Sequence, residues 1–175
     1  MKVCMLTTSY PRYTGDPSSP FVEGLCKWLA RNGVEVHVVA PHDSATATKE
    51  FEKINGVHVH RFHYFWPRAL QKVAYGKGGM PENIRKSLLA KAQLPFFMLS
   101  FLKKAKEVSR ECDLIHAQWA PSGLIASKVA GKKPVVLYVH GAEVFVNFAR
   151  GLVKKAIESA DFVLFNSSYT QKKTL

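Results

Sequence analysis

An apolar run from Pro134 to Val139 breaks abruptly into His140, Gly141 and, two positions on, Glu143. An imidazole can donate to a hydroxyl or steady developing charge, a glycine lets backbone approach a ligand closely, and a carboxylate adds a fixed charge. In a parallel α/β sheet, ligands gather where strand carboxyl ends meet helix amino ends, so His140 and Glu143 are expected to face a crevice there. Tyr10, Arg12, Gly15 and Asp16 lie in a loop that feeds a helix start, a place that favours anions, although turn chemistry accounts equally for Pro11, Gly15 and Asp16. Gln118 and Trp119 close another apolar run; the amide can hydrogen-bond but not take a charge, and the indole can stack on a ligand or simply pack. His58, His60 and His63 invite a metal, since alternate strand positions share a face, but no carboxylate or cysteine accompanies them locally and Arg61 lies between.

The elements that must position these residues follow from apolar periodicity. Strand-like runs occur at Val3 to Leu6, Val34 to Ala40, Val57 to Phe62, Leu114 to Ala117, Val135 to Val139 and Phe162 to Phe165, with helical patterns between most of them. Such alternation predicts an α/β fold: a Rossmann-like, doubly wound, mainly parallel sheet with helices on both faces. The first helix is expected to be capped by Ser19, to start at Pro20, to bury a stripe of Phe21, Leu25, Trp28 and Leu29, and to end at Gly33. A second runs from Pro121 and Ser122 to Gly131, and a third from Leu152 to Ala160 with Leu152, Val153, Ala156, Ile157 and Ala160 inward. Pro95 to Glu111 reads as a helix with an apolar front of Phe96, Phe97, Leu99, Phe101 and Leu102 and a basic rear. Trp66 to Pro81, rich in glycine and proline, is expected to be a long irregular loop. Asn166, Ser167 and Ser168 are placed to cap a further helix.

At 175 residues with 47% hydrophobic content, the chain suits one domain, residues 1–175. The net charge of +12 implies an anionic partner, and the stretch Arg61 to Arg110 holds eleven basic residues against two acids. Cys4, Cys26 and Cys112 are odd in number, widely spaced and set in apolar pattern, which predicts buried thiols in a reducing, cytoplasmic compartment. The first ten residues read as a strand and not a signal peptide, and the longest apolar run is too short to span a bilayer.

Two other functions share parts of this pattern. A dinucleotide oxidoreductase would need G-x-G-x-x-G in the first loop and an acid after strand two, where Ala40 and Pro41 stand. A nucleic-acid module would explain the charge but leaves the His-Gly-X-Glu turn without purpose. The tract Gly76-Lys77-Gly78-Gly79 is no phosphate cradle, because it follows no clear strand; a mobile flap fits it better.

In this order, six segments are similar to the amino-terminal half of glycosyltransferase family 4. They are Thr8 to Asp16, Gly33 to Pro41, Ala74 to Asn83, Asp113 to Trp119, Val139 to Phe145 and Ala160 to Ser167. The resemblance implies a retaining GT-B enzyme that moves a sugar from a nucleotide-sugar donor to a glycan or lipid-linked acceptor, without a metal or other cofactor. It implies that this half binds acceptor, and that the donor nucleotide is held by a second domain, so that the chain alone is an inactive fragment. His140 and Glu143 then become the catalytic candidates, Gly15 and Gly141 face the donor, and Tyr10, Arg12, Asp16, Tyr75, Gln118 and Trp119 face the acceptor. Three departures from the family pattern stand out: Gly15 in place of a Gly-Gly pair, Gln118 where histidine is frequent, and Glu143 where aspartate is frequent. The basic, aromatic stretch also suits a non-catalytic anion-binding module, or peripheral attachment to an acidic membrane surface on its inner face.

Overall fold

Seven strands form one sheet in the order β3-β4-β2-β1-β5-β6-β7 in the computed structural model, which describes residues 1–46, 48–76, 78–141 and 150–174. The strands are β1 (Lys2–Leu6), β2 (Glu35–Pro41), β3 (Phe51–Ile54), β4 (Val57–Phe62), β5 (Leu114–Gln118), β6 (Val135–Val139) and β7 (Phe162–Phe165). All neighbouring pairs are parallel except β3 with β4. The helices are α1 (Pro20–Arg31), α2 (Gly79–Lys86), α3 (Leu88–Ser109), α4 (Trp119–Val129), α5 (Arg150–Glu158) and α6 (Ser168–Thr174). The expected doubly wound, mainly parallel α/β sheet is what forms.

Strand alternation divides the core in two. Met5, Val36, Val38, Val57 and Val59 point to the face covered by Val22 and Cys26 of α1. Cys4, Leu6, Val39, Ile115, Ala117, Leu137 and Val139 point the other way, against Phe97 and Phe101 of α3, Ile125 and Ala126 of α4, and Val153 and Ala156 of α5. Because successive strand side chains alternate, His116, Gln118, Tyr138 and His140 must all lie on the α1 face. β1 leads to β2 on one side and borders β5 on the other, so the topological switch point, where such sheets bind ligands, lies between β1 and β5.

Several expectations need correction. β3 was not anticipated, although Asn55 and Gly56 carry its signal: both have positive φ, 52° and 82°, as a tight hairpin turn requires. In α1 the buried stripe is Val22 and Cys26, while Phe21 and Trp28 are exposed; Phe21 turns toward the sheet's carboxyl edge and Trp28 toward solvent. Ser19 caps α1 with its backbone carbonyl, which accepts from Val22 at 3.0 Å, and not with its side chain. α3 begins at Leu88, well before Pro95, with Ser87 Oγ accepting from the Ala90 N–H. Its sheet-facing row is Gln93, Phe97, Phe101, Ala105 and Val108 at helical spacing, leaving Phe96 and Leu99 exposed. Leu152 of α5 is likewise exposed, because Val153 and Ala156 already face the sheet.

The stretch Trp66 to Pro81 is less irregular than its composition suggests, with a 3-10 turn at Arg68–Leu70 and α2 starting at Gly79. Its backbone is pinned by side chains. The Val73 N–H donates to the Tyr64 hydroxyl, Asn83 donates to the carbonyls of Val73 and Tyr75, and Gln93 bridges the Lys72 N–H and the Leu70 carbonyl. As anticipated, the three cysteines are free and buried, and Ser167 Oγ accepts from the Thr170 N–H at the start of α6.

Candidate functional site

A cleft of about 690 Å³ opens at the carboxyl edge of the sheet on the α1 face, lined by Ser19, Phe21, Leu25, Gln118, Trp119, Tyr138, His140 and Asn166. Four elements build it: the start of α1, the ends of β5 and β6, and the residue after β7. His140 is its centre. Its ring stacks on Tyr138 at 4.2 Å between centroids and meets Phe21 at 4.8 Å and Trp119 at 4.9 Å. Asn166 donates to the His140 carbonyl at 2.8 Å, which fixes the backbone at the point where β6 ends.

This aromatic enclosure has an electrostatic consequence. Burial, with a smaller contribution from His116, pushes the His140 pKa down to about 4, and burial does the same for His116. At neutral pH the ring is therefore uncharged, a hydrogen-bonding group and not a cation. Nε2 lies 2.7 Å from Gln118 Oε1, and Nδ1 has no hydrogen-bond partner among the described residues.

Gly141 follows with φ +96°, a conformation that side chains rarely adopt, and a Cβ there would stand 3.0 Å from Thr170 Oγ1. Glycine is thus required both by the turn and by the close approach of α6. Glu143, the second catalytic candidate, lies outside the described residues.

The other expected residues fall into two groups. Gln118 and Trp119 join His140 at the cleft, but Gln118 is fully buried beneath it. Trp119 adopts φ 65°, and its ring packs on His140 and, edge-on at 5.8 Å, on Phe21. Tyr10, Arg12, Asp16 and Tyr75 assemble instead into a network under the first loop. Arg12 Nε donates to Asp16 Oδ2 at 2.6 Å and Nη1 to Asp43 Oδ2 at 2.5 Å, and the guanidinium sits 4.6 Å over the Tyr75 ring. Burial works against the Asp16 charge, yet hydrogen bonds from Arg12 and Ser18 hold its carboxyl well below the usual range. Tyr10 is buried, and its burial raises the phenol pKa. Gly15 has φ 85° and open space around it, so its role is the turn between Tyr13 and Asp16.

Sequence reasoning did not single out Arg61, which organises this network. Its side chain is inaccessible to solvent, Nη2 donates to the Pro11 carbonyl at 2.5 Å, Nη1 reaches the Pro41 carbonyl and the Tyr75 hydroxyl, and Nε faces Glu52 at 3.5 Å. A buried guanidinium needs this many partners to persist. It ties the first loop to the ends of β2 and β4, and so holds α1 against the cleft.

His58 and His60 lie on β4 and His63 just beyond its end, so the three do not share a face. His58 and His60 stack with His37 of β2 at 4.7 and 5.4 Å, while His63 pairs with His42 and with Glu50. Among the described residues, no group of three or more His, Cys, Asp or Glu is placed to hold a metal ion. No helix among them is long and apolar enough to cross a membrane.

Comparison with known proteins agrees with this architecture. No curated protein matches the chain. Sucrose-phosphate synthase from Thermosynechococcus elongatus superimposes with a TM-score of 0.66 at 17% identity, over 98% of this chain and 79% of that one. HepE of Anabaena, solved in complex with UDP and glucose, gives 0.60 at 15% identity over 99% of this chain and 40% of that one. The catalytic domain of starch synthase IV from Arabidopsis thaliana, bound to ADP and acarbose, gives 0.57 at 15% identity over 93% and 44%. The chain thus spans less than half of the latter two structures, and it has the Rossmann-like fold of the amino-terminal half of a GT-B glycosyltransferase. The family described as Glycosyltransferase Family 4 matches residues 19–175, nearly the whole sheet and every residue that lines the cleft, and the chain belongs to that family.

Proposed function

We propose that the chain is the acceptor-side half of a retaining glycosyltransferase that moves a sugar from a nucleotide-sugar donor to a glycan or lipid-linked acceptor. The observation that carries this reading is His140: a neutral imidazole at a strand end that lines the cleft, enclosed by Phe21, Trp119 and Tyr138, with one ring nitrogen unpartnered by the described residues. Three aromatic rings and an uncharged hydrogen-bonding group suit a sugar, whose faces are apolar and whose edges carry hydroxyls. They do not suit a polyphosphate, so the nucleotide is held elsewhere, by a second domain that completes the cleft. HepE, whose structure contains UDP and glucose, supports a nucleotide sugar as the donor. Gly141 keeps the backbone turn at this strand end free of a side chain, and Glu143, two positions on in the sequence, is the acid assigned to the site. No cofactor or metal is required by these groups.

The experiment is a transfer assay over a panel of nucleotide sugars, using both these 175 residues and the product of the complete reading frame. Transfer by the complete product, with none by the 175 residues alone, is expected. Transfer by neither, with tight salt-sensitive binding of arbitrary nucleic acid, would favour the non-catalytic anion-binding reading.

A second feature concerns location. Leu88, Phe96 and Leu99 are exposed on α3 beside exposed Lys91, Lys103 and Lys106, an apolar and basic face suited to the inner, acidic surface of a cytoplasmic membrane. Co-sedimentation with acidic but not zwitterionic vesicles, abolished by changing the three lysines to glutamate, is the expected result. Equal binding by the triple variant would remove the idea.

A further inference from the structure

Gln118 ends β5 with its amide enclosed on every side. Its Nε2 lies 3.0 Å from His116 Nδ1 and 3.0 Å from Met5 Sδ, and its Oε1 lies 2.7 Å from His140 Nε2. A carboxamide donates only through nitrogen and accepts only through oxygen, and a thioether sulfur only accepts. Met5 therefore decides which way the amide points: nitrogen toward Met5 leaves a weak N–H to sulfur contact, whereas oxygen there would set lone pairs against lone pairs. With the amide so oriented, the hydrogen bonds run in one direction. Gln118 donates to His116 Nδ1, and His140 Nε2–H donates to Gln118.

We infer that Gln118, oriented by Met5 and His116, is a positioning residue that holds His140 as its neutral Nε2–H tautomer, so that Nδ1, which no described residue engages, keeps its lone pair for a ligand. His140 then accepts a hydrogen bond from a ligand hydroxyl and does not donate one. This narrows the chemistry of the site. A tautomer with Nδ1–H would favour a carbonyl, phosphate or ring oxygen, whereas the Nε2–H form selects a hydroxylated ligand and holds one hydroxyl in a fixed direction. Alternation supplies the geometry: His116 and Gln118 are two apart on β5, so they share the α1 face, and the end of β6 brings His140 alongside. The tautomer follows from the packing alone, while its use in sugar transfer rests on the function proposed above.

The two claims separate experimentally. Long-range proton–nitrogen correlation spectra of the ring nitrogens, recorded near neutral pH on the nitrogen-15-labelled chain, read each tautomer without any ligand. The wild-type chain should show His116 and His140 both protonated at Nε2 only. Gln118→Glu puts an acceptor at both ends, so His116 must move to the Nδ1–H form while His140 keeps Nε2–H. Gln118→Met removes both partners, and His140 should then populate both tautomers. His140 found in the Nδ1–H form in the wild-type chain overturns the inference without reference to any variant, as does an unaltered His140 tautomer in a folded Gln118→Met chain. In the complete enzyme, Gln118→Met should lower kcat/KM about tenfold, the equivalent of one hydrogen bond. A correct tautomer combined with full transfer activity in His140→Ala would leave the relay standing and remove His140 from the reaction.

Discussion

The loop after β1 and the end of β6 both carry polar side chains at strand termini, and the sequence presents them as equals. In the fold they are opposites. Arg12, Asp16, Asp43 and Arg61 are charged, and each is bonded to the others or to backbone carbonyls. His140 is uncharged, walled by rings, and keeps one nitrogen without a partner among the described residues. A polar residue at a strand end is scaffolding when its hydrogen-bonding capacity is filled from within, and a candidate for chemistry when some is left facing a cleft. Substitutions in the first loop should therefore register as stability, and substitutions around His140 as ligand binding and turnover.

The largest stability effect is expected at Arg61. Arg61→Met leaves Glu52 and two carbonyls without their buried partner, and should lower unfolding free energy by about 3–5 kcal/mol in urea titrations. A loss below about 1 kcal/mol would mean that the network is dispensable, and the contrast with the β6 end would collapse. Asp16→Asn should come next, at about 2 kcal/mol near neutral pH, since it weakens several charge-assisted hydrogen bonds at once. Its pH dependence has a definite sign. The folded carboxyl titrates below its ordinary value of 3.8, so its contribution is complete above that pH and is lost as pH falls below it. The acid limb of the wild-type stability curve should be shallower in Asp16→Asn.

Gly141→Ala sharpens the comparison from the other side. The left-handed φ and the contact with Thr170 should make it cost about 1–2 kcal/mol, measured by thermal unfolding. Turnover in the complete enzyme should fall by more than that loss of stability would cause. His116 and His140 give a smaller and distinct signature. Their folded pKa values of about 4 lie below the ordinary 6.5, so the unfolded chain binds more protons between those pH values. Stability should be flat above pH 6.5 and decline as pH falls toward 4, and His140→Gln should remove part of that decline.

Much of this architecture was legible in the residues. Apolar runs alternating with helical stretches located six of the seven strands, and the break at His140-Gly141 marked the cleft. Asn55-Gly56 announced the remaining hairpin, but the apolar run beside it, Phe51–Ile54, is short and interrupted by charges. Arg61 could not be read, because an arginine on a strand looks exposed until Pro11, Pro41 and Glu52 converge on it from distant positions. Gln118 was legible as a strand-end amide near the site, but not as the link to His140, since the two are 22 residues apart and meet only when β5 and β6 pair. Phe21 and Phe96 misled for one reason. An apolar residue on a helix need not face the core, because a narrow row at i, i+3 and i+4 suffices to cover the sheet.

The most direct test of the central claim is sugar transfer by the complete enzyme with His140 replaced by alanine, beside Arg12→Lys as a first-loop control. The account predicts that His140→Ala lowers kcat by about a hundredfold or more in the fraction that remains folded, while Arg12→Lys loses stability and keeps most of its turnover. Full turnover in His140→Ala would contradict it and would move the reacting centre away from the end of β6.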